Sequence, residues 1–177
     1  MGRKRRGRNV DGKLEWAVTY RSKIWERRYG KNNSNFKIMN VRIRPLKEQD
    51  AYTSVKWRND PEVFKFTGNI YNHEITIDNE LEWIRKVTAN PTDYRCAILV
   101  DEVYVGNIYL TDIKEGTAHF HIFIGDKSYW GKGVAKRASL LILEYAFNVL
   151  NIKEVLLRVR NVNTSAYNLY LRLGFKD

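Results

Sequence analysis

Tyr129-Trp130-Gly131-Lys132-Gly133-Val134-Ala135-Lys136-Arg137 joins a strand-like pattern to a helix-like one, and its reading decides the fold. Upstream, Phe120, Ile122 and Ile124 alternate with His119, His121 and Phe123, the period of two expected of a strand. Downstream, residues 138–147 contain neither Gly nor Pro and read as a helix. Glycines at 131 and 133 let the backbone turn tightly and aim free N–H groups at one spot. The first-turn amides and positive dipole end of the helix face the same spot. This is an anion cradle, suited to a phosphate or pyrophosphate, with Lys132 and Lys136 beside it. A glycine before a helix is as often only a turn, so the cradle needs a partner elsewhere in the chain.

That partner lies about thirty residues on, in Asn161-Val162-Asn163-Thr164-Ser165-Ala166-Tyr167-Asn168-Leu169-Tyr170-Leu171-Arg172-Leu173-Gly174-Phe175. Together the two blocks resemble the acetyl-CoA-binding core of the GNAT superfamily of N-acetyltransferases. Gly133 and Ala135 stand in the small positions of that family's glutamine/arginine-x-x-glycine-x-glycine/alanine loop. Asn163, Ala166, Tyr170 and Leu173-Gly174-Phe175 match its asparagine-x-x-alanine, tyrosine, leucine-glycine-phenylalanine helix. The resemblance spans residues 41–175. It implies an α/β fold with a mixed, mostly antiparallel central sheet flanked by helices, and acetyl-CoA as cosubstrate with no metal.

A chain of 177 residues with 44% hydrophobic content suits one domain plus an extension. Its single cysteine, Cys96, excludes an internal disulfide and sits in an apolar run, where a buried, inert thiol is expected. The apolar runs are too short to span a bilayer and no leader pattern is visible, so a cytoplasmic protein without membrane contact is expected. The net charge of +11 is uneven: residues 1–40 hold 12 Lys/Arg against 3 Asp/Glu, the remainder 19 against 17.

Residues 1–38 therefore read as a basic N-terminal extension, partly disordered or helical. Within it, Trp16, Tyr20, Ile24 and Trp25 recur at roughly helical spacing and predict a short basic amphipathic helix over residues 14–29. The arginine-rich start reads as a solvated tail, with contact to nucleic acid or another polyanion as the alternative. The domain proper occupies residues 39–177. Its pattern predicts a strand at Val41 to Arg44, helices over 47–58 and 76–87, a short turn or helix over 61–64, and a hairpin of strands around Asp101-Glu102. The strand before the glycine loop, the long helix, a β-branched strand over 154–160 and the helix of Tyr170 complete the family's order, β-α-α-β-β-β-α-β-α. The family continues past Leu-Gly-Phe into another strand, whereas this sequence stops at Asp177. That strand is expected from beyond the given sequence or from elsewhere, such as a partner subunit, or the sheet is incomplete.

The resemblance also assigns roles. Gly131, Gly133, Val134, Ala135 and Lys136 would hold the CoA pyrophosphate, and main-chain groups of Ile122, Phe123 and Ile124 would pair with the pantetheine arm. Trp130 stands where the family often has Gln or Arg and is not carried over. Tyr170 would protonate the departing thiolate, with filling the core as its plainer alternative. Asn163 would cap its helix or bind pantetheine. His119 occupies a strand position where relatives carry glutamate and is the candidate base; His121 shares its face. Trp57, Arg58 and Asn59 resemble the acceptor-binding segment of nucleotide-amino-sugar acetyltransferases. The cofactor half also resembles spermidine acetyltransferases.

The function expected is acetyl transfer from acetyl-CoA to a small-molecule primary amine, such as an amino-sugar nucleotide or polyamine. Protein N-terminal acetylation, as in the ribosomal-protein branch, is the enzymatic alternative. A non-catalytic CoA- or nucleic-acid-binding module is the alternative of another class. Oligomeric state is open, a homodimer included.

Overall fold

The computed structural model describes residues 9–10, 13–23, 39–65 and 73–176. The basic run at 2–8, the polar linker at 31–35 and residues 24–29 of the expected helix lie outside them. In chain order the elements are β1 (Asn9–Val10), β2 (Lys13–Arg21), β3 (Val41–Pro45), α1 (Ala51–Arg58), α2 (Pro61–Phe64), α3 (Ile77–Thr88), β4 (Tyr94–Val100) and β5 (Val103–Lys114). There follow β6 (Thr117–Ile124), α4 (Val134–Asn148), β7 (Glu154–Arg160) and α5 (Thr164–Leu173). All strands join one sheet of order β1-β2-β7-β6-β5-β4-β3. It is antiparallel except where β6 meets β7. The mixed, mostly antiparallel sheet expected from the sequence is the one observed.

Local chemistry sets the boundaries. Thr76 caps α3 in a reciprocal box: its Oγ1 accepts from the Asn79 N–H at 3.2 Å, and Asn79 Oδ1 accepts from the Thr76 N–H at 3.2 Å. Asp101 and Glu102 both take positive φ, 48° and 69°, as a two-residue hairpin turn between β4 and β5 requires. Alternation then sorts the sheet's side chains onto two faces. One face carries Ile98, Ile108, Leu110, Phe120, Val155 and Leu157 into the main core under α4 and α5. The other carries Ala97 and Leu99 against α1 and α3. Cys96 is buried on the first face, and desolvation pushes its thiol up to about 11, so it stays an inert thiol at neutral pH.

The amphipathic helix expected over residues 14–29 is not what residues 13–21 form. They are β2, paired antiparallel with β7 from Glu15↔Arg160 to Arg21↔Glu154. The reason is visible in the alternation Leu14, Trp16, Val18, Tyr20, which fits a period of two; β7 supplies an edge that an isolated helix lacks. Val18 and Tyr20 are fully buried in the main core. Tyr20 packs on Phe175 of the Leu-Gly-Phe element at 5.1 Å between ring centroids, and Thr19 exchanges two main-chain bonds with Lys176, each 2.8 Å. The outer edge of β7 is thus covered by a strand from the basic extension itself.

Candidate active site

β6 and β7 pair only over 117–119 and 154–156. Beyond that point β6 stays with β5 as far as Ile124, while β7 stays with β2. The strands part, and the main-chain groups of 120–124 that face the gap have no strand partner among the described residues. A cleft of about 1200 Å³ occupies the split and is lined by residues from both faces of the sheet.

The side of the cleft beside α4 is built from backbone. Gly131 and Gly133 hold φ of 72° and 79°, and Gly133 is the N-cap of α4. A Cβ added at either would meet nothing within 4 Å, so the backbone angle demands glycine there and the space above the loop is open. The N–H groups of Val134, Ala135 and Lys136, in the first turn, have no acceptor within the helix and point toward that space. Lys136 lines the cleft, whereas the Lys132 ammonium lies 5.8 Å from the Tyr129 ring. The Trp130 indole N–H donates to Ile124 O at 2.8 Å, fixing the ring at the cleft wall. Ile122, Phe123 and Ile124 line the cleft, as does Asn163, whose Oδ1 accepts from the Ala166 N–H at 3.2 Å and caps α5. These residues fit a pyrophosphate with an extended arm leading into the split.

Tyr170 reaches the same cleft from α5, 7% exposed and edge-on to Phe120 and Phe175 at 5.9 and 5.7 Å. Burial raises its pKa above the ordinary tyrosine value, so the phenol keeps its proton at neutral pH.

The opposite side is built from side chains. Across the face opposite α4, strand pairing lines up Arg95 with Tyr109 and Tyr109 with His121. Continuing the β6–β7 register across the split brings Arg158 level with His121. All four line the cleft. His121 Nε2 lies 3.0 Å from Thr111 Oγ1. His121 is an exposed residue of β6; partial desolvation of its ring, with Arg95 and His119, lowers its pKa below the ordinary histidine value against the opposing pull of Asp112 and Asp93, so the ring is mostly neutral at pH 7. Arg95 is bound by Asp93 at 2.6 Å. Arg58 lies 3.3 Å from Glu80, an ion pair whose side chains are 12% and 0% exposed, and Ser54 donates to the other Glu80 oxygen at 2.6 Å. The Arg58 guanidinium also covers the Trp83 ring at 4.7 Å.

Of the acceptor residues expected from the sequence, only Arg58 lines the cleft. Trp57 is 8% exposed and packs against Tyr104, with ring centroids 4.7 Å apart. Gly125 runs so close beneath it that an added Cβ would lie 2.0 Å from the indole. Asn59 spends its amide on the main chain: it donates to Val55 O and Ile75 O at 3.0 and 2.8 Å and accepts from the Ile75 N–H at 2.8 Å. Consecutive residues at a helix end point about 100° apart, so one of the three faces the cleft. His119 sits at the last paired position of the split, opposite Leu156, and is not among the lining residues; His121 is. Sequence reading missed Arg95, Tyr109 and Arg158, which only strand pairing assembles.

A sheet that parts at the third pair, a glycine-capped helix and a buried tyrosine facing one cleft define an acyl-CoA N-acyltransferase architecture. The chain matches the Acetyltransferase (GNAT) domain model over residues 40–176 and belongs to that family of acetyl-CoA-dependent N-acetyltransferases. It is 30% identical over 146 residues to the spermidine N(1)-acetyltransferase of Escherichia coli K12, covering 76% of this chain and 72% of that protein. The spermidine N-acetyltransferase of Vibrio cholerae, solved with CoA and spermine, superposes with a TM-score of 0.71 at 23% identity, covering 77% of this chain and 81% of that one. A domain from Methanocaldococcus jannaschii superposes with a TM-score of 0.68 at 22% identity, covering 78% and 90%. At those identities the two structures speak for the fold.

Proposed function

We propose that this chain transfers acetyl from acetyl-CoA to the primary amine of a small molecule by direct attack within a ternary complex. The observation that carries the reading is the parted β6–β7 pair, which gives donor and acceptor one shared opening from opposite faces of the sheet. The glycine loop and first turn of α4 would take the pyrophosphate, and the unpaired edge of β6 the pantetheine arm. The similarity to spermidine acetyltransferases supports polyamines as acceptors to be tried, beside amino sugars and N-terminal peptides.

Holding the amine against the thioester supplies most of the acceleration in such a site. His121 faces the cleft and is neutral, so it takes the role of base expected at His119: it accepts the proton of the incoming ammonium, and the free amine attacks the thioester carbonyl. As the tetrahedral adduct collapses, the C–S bond breaks, the Tyr170 phenol gives its proton to sulfur, and the proton shed by the adduct's nitrogen restores the phenol by way of solvent. The pocket that raises the phenol pKa raises that of a thiolate too, since desolvation penalises both anions.

The test is calorimetric binding of acetyl-CoA followed by CoA release with an amine panel. Acetyl-CoA should bind wild type and Tyr170→Phe alike, while the variant's kcat falls by about a hundredfold. Failure of the folded chain to bind acetyl-CoA would overturn the reading.

A further inference from the structure

We propose that the acceptor amine carries a phosphate, and that Arg158 and Arg160 read it. This rests on the acetyl-transfer reading above and narrows its acceptor. Among the described residues, the cleft is lined by seven Lys/Arg and two Asp/Glu. On the acceptor side Arg95 is committed to Asp93 and Arg58 to Glu80, so their charges are compensated. Arg158, by contrast, is exposed and has neither hydrogen bond nor ion pair among the described residues. Arg160 donates to Lys65 O at 3.2 Å, a neutral carbonyl, and has no ion pair among the described residues; Glu15 stands opposite it in the β2–β7 register. Of the two acids, Glu62 is bound by Lys127 at 2.9 Å. Asp112 remains, beside His121 on the β5 rim.

The two arginines are alternate residues of β7 and project from one face, roughly 7 Å apart along the strand. It is the face of His121, not that of α4 and α5, so the pair is separate from the glycine loop that suits the donor's pyrophosphate. A guanidinium binds phosphate oxygens through paired N–H donors, and two of them form a fork for one phosphate. With the phosphate there, the amine lies against His121 and Asp112 across the split. A polyamine fits this charge pattern poorly. Its several ammonium groups would meet two guanidiniums that have no ion pair among the described residues, and the single carboxylate of Asp112.

The test compares kcat/KM for glucosamine, glucosamine 6-phosphate, a UDP-linked amino sugar and spermidine, with acetyl-CoA affinity measured separately. At least one phosphorylated amine should exceed both glucosamine and spermidine by about tenfold or more, as a charge-assisted fork implies. Arg158→Glu should abolish that advantage, cost glucosamine far less, and leave the acetyl-CoA Kd unchanged; Arg158→Lys should restore part of it. Spermidine turned over as well as the phosphorylated amines, or none of the panel acetylated by protein that binds acetyl-CoA, would overturn the proposal. So would a loss of acetyl-CoA affinity in Arg158→Glu, which would move the arginine to the donor. Absence of acetyl-CoA binding by wild type would instead strike the acetyl-transfer reading on which it rests.

Discussion

The two halves of the cleft, which we propose take donor and acceptor, are made of different materials. On the donor side the working groups are main-chain N–H groups and glycine dihedrals, contributed by one short stretch, Gly131 to Lys136. On the acceptor side they are side chains: Arg58 from α1 and the row Arg95, Tyr109, His121 and Arg158 from separate strands. A backbone site tolerates almost any sequence that keeps the turn. A side-chain site changes with every substitution in the row. On that assignment, one cleft combines a fixed donor site with an acceptor site that single residues can redefine.

Substitutions that separate the halves put this contrast at risk. The largest effect is expected at Glu80, whose removal strands the Arg58 charge in a buried setting. Glu80→Ala should cost about 3–5 kcal/mol of stability in denaturant titration. Where the variant stays folded, acceptor KM should rise while the acetyl-CoA Kd holds; a matched loss of both would erase the distinction. Gly133→Ala should act the opposite way. Its Cβ has room, so the cost is the positive φ, about 1–2 kcal/mol. Acetyl-CoA binding should weaken while acceptor KM stays put, as calorimetry and steady-state kinetics will read. Asn163→Ala removes the α5 cap for about 1 kcal/mol, visible as a lowered Tm with a smaller rise in acetyl-CoA Kd. The mildest is pH-dependent. His121 binds its proton below the ordinary histidine value of 6.5, so it remains a base as pH falls through that value. The acid limb of kcat/KM should lie below 6.5 in wild type and vanish in His121→Gln.

The same contrast explains what the sequence made legible. Gly131, Gly133, Asn163 and Tyr170 stand in two contiguous blocks whose local geometry is set by nearby residues, and all of them line the cleft. The hairpin at Asp101-Glu102 and the helix after Thr76 were readable for the same reason: turn chemistry and capping act over a few residues. The proposed acceptor row was not readable, because Arg95 and Arg158 fall into one row only through strand pairing and across a split whose starting point no local pattern marks. His119 and His121 share a face, and only the end of the β6–β7 ladder tells them apart. Trp16 and Tyr20, four residues apart, fit a helix turn as well as a strand, and β7 decides between them.

β2 has a consequence for the order in which the protein can become itself. Arg21 and Glu154, the pair at its end, stand 133 residues apart in the chain. Closing so long a loop is entropically expensive and slow, and a ribosome delivers β2 well before β7 exists. Until then Val18 and Tyr20, fully buried in the finished sheet, have no core to enter. β7, in turn, would hang on three residue pairs to β6. The wall of the cleft that carries Arg158 is therefore among the last parts of the molecule to set, and its waiting strand is where chaperones or aggregation would find this chain.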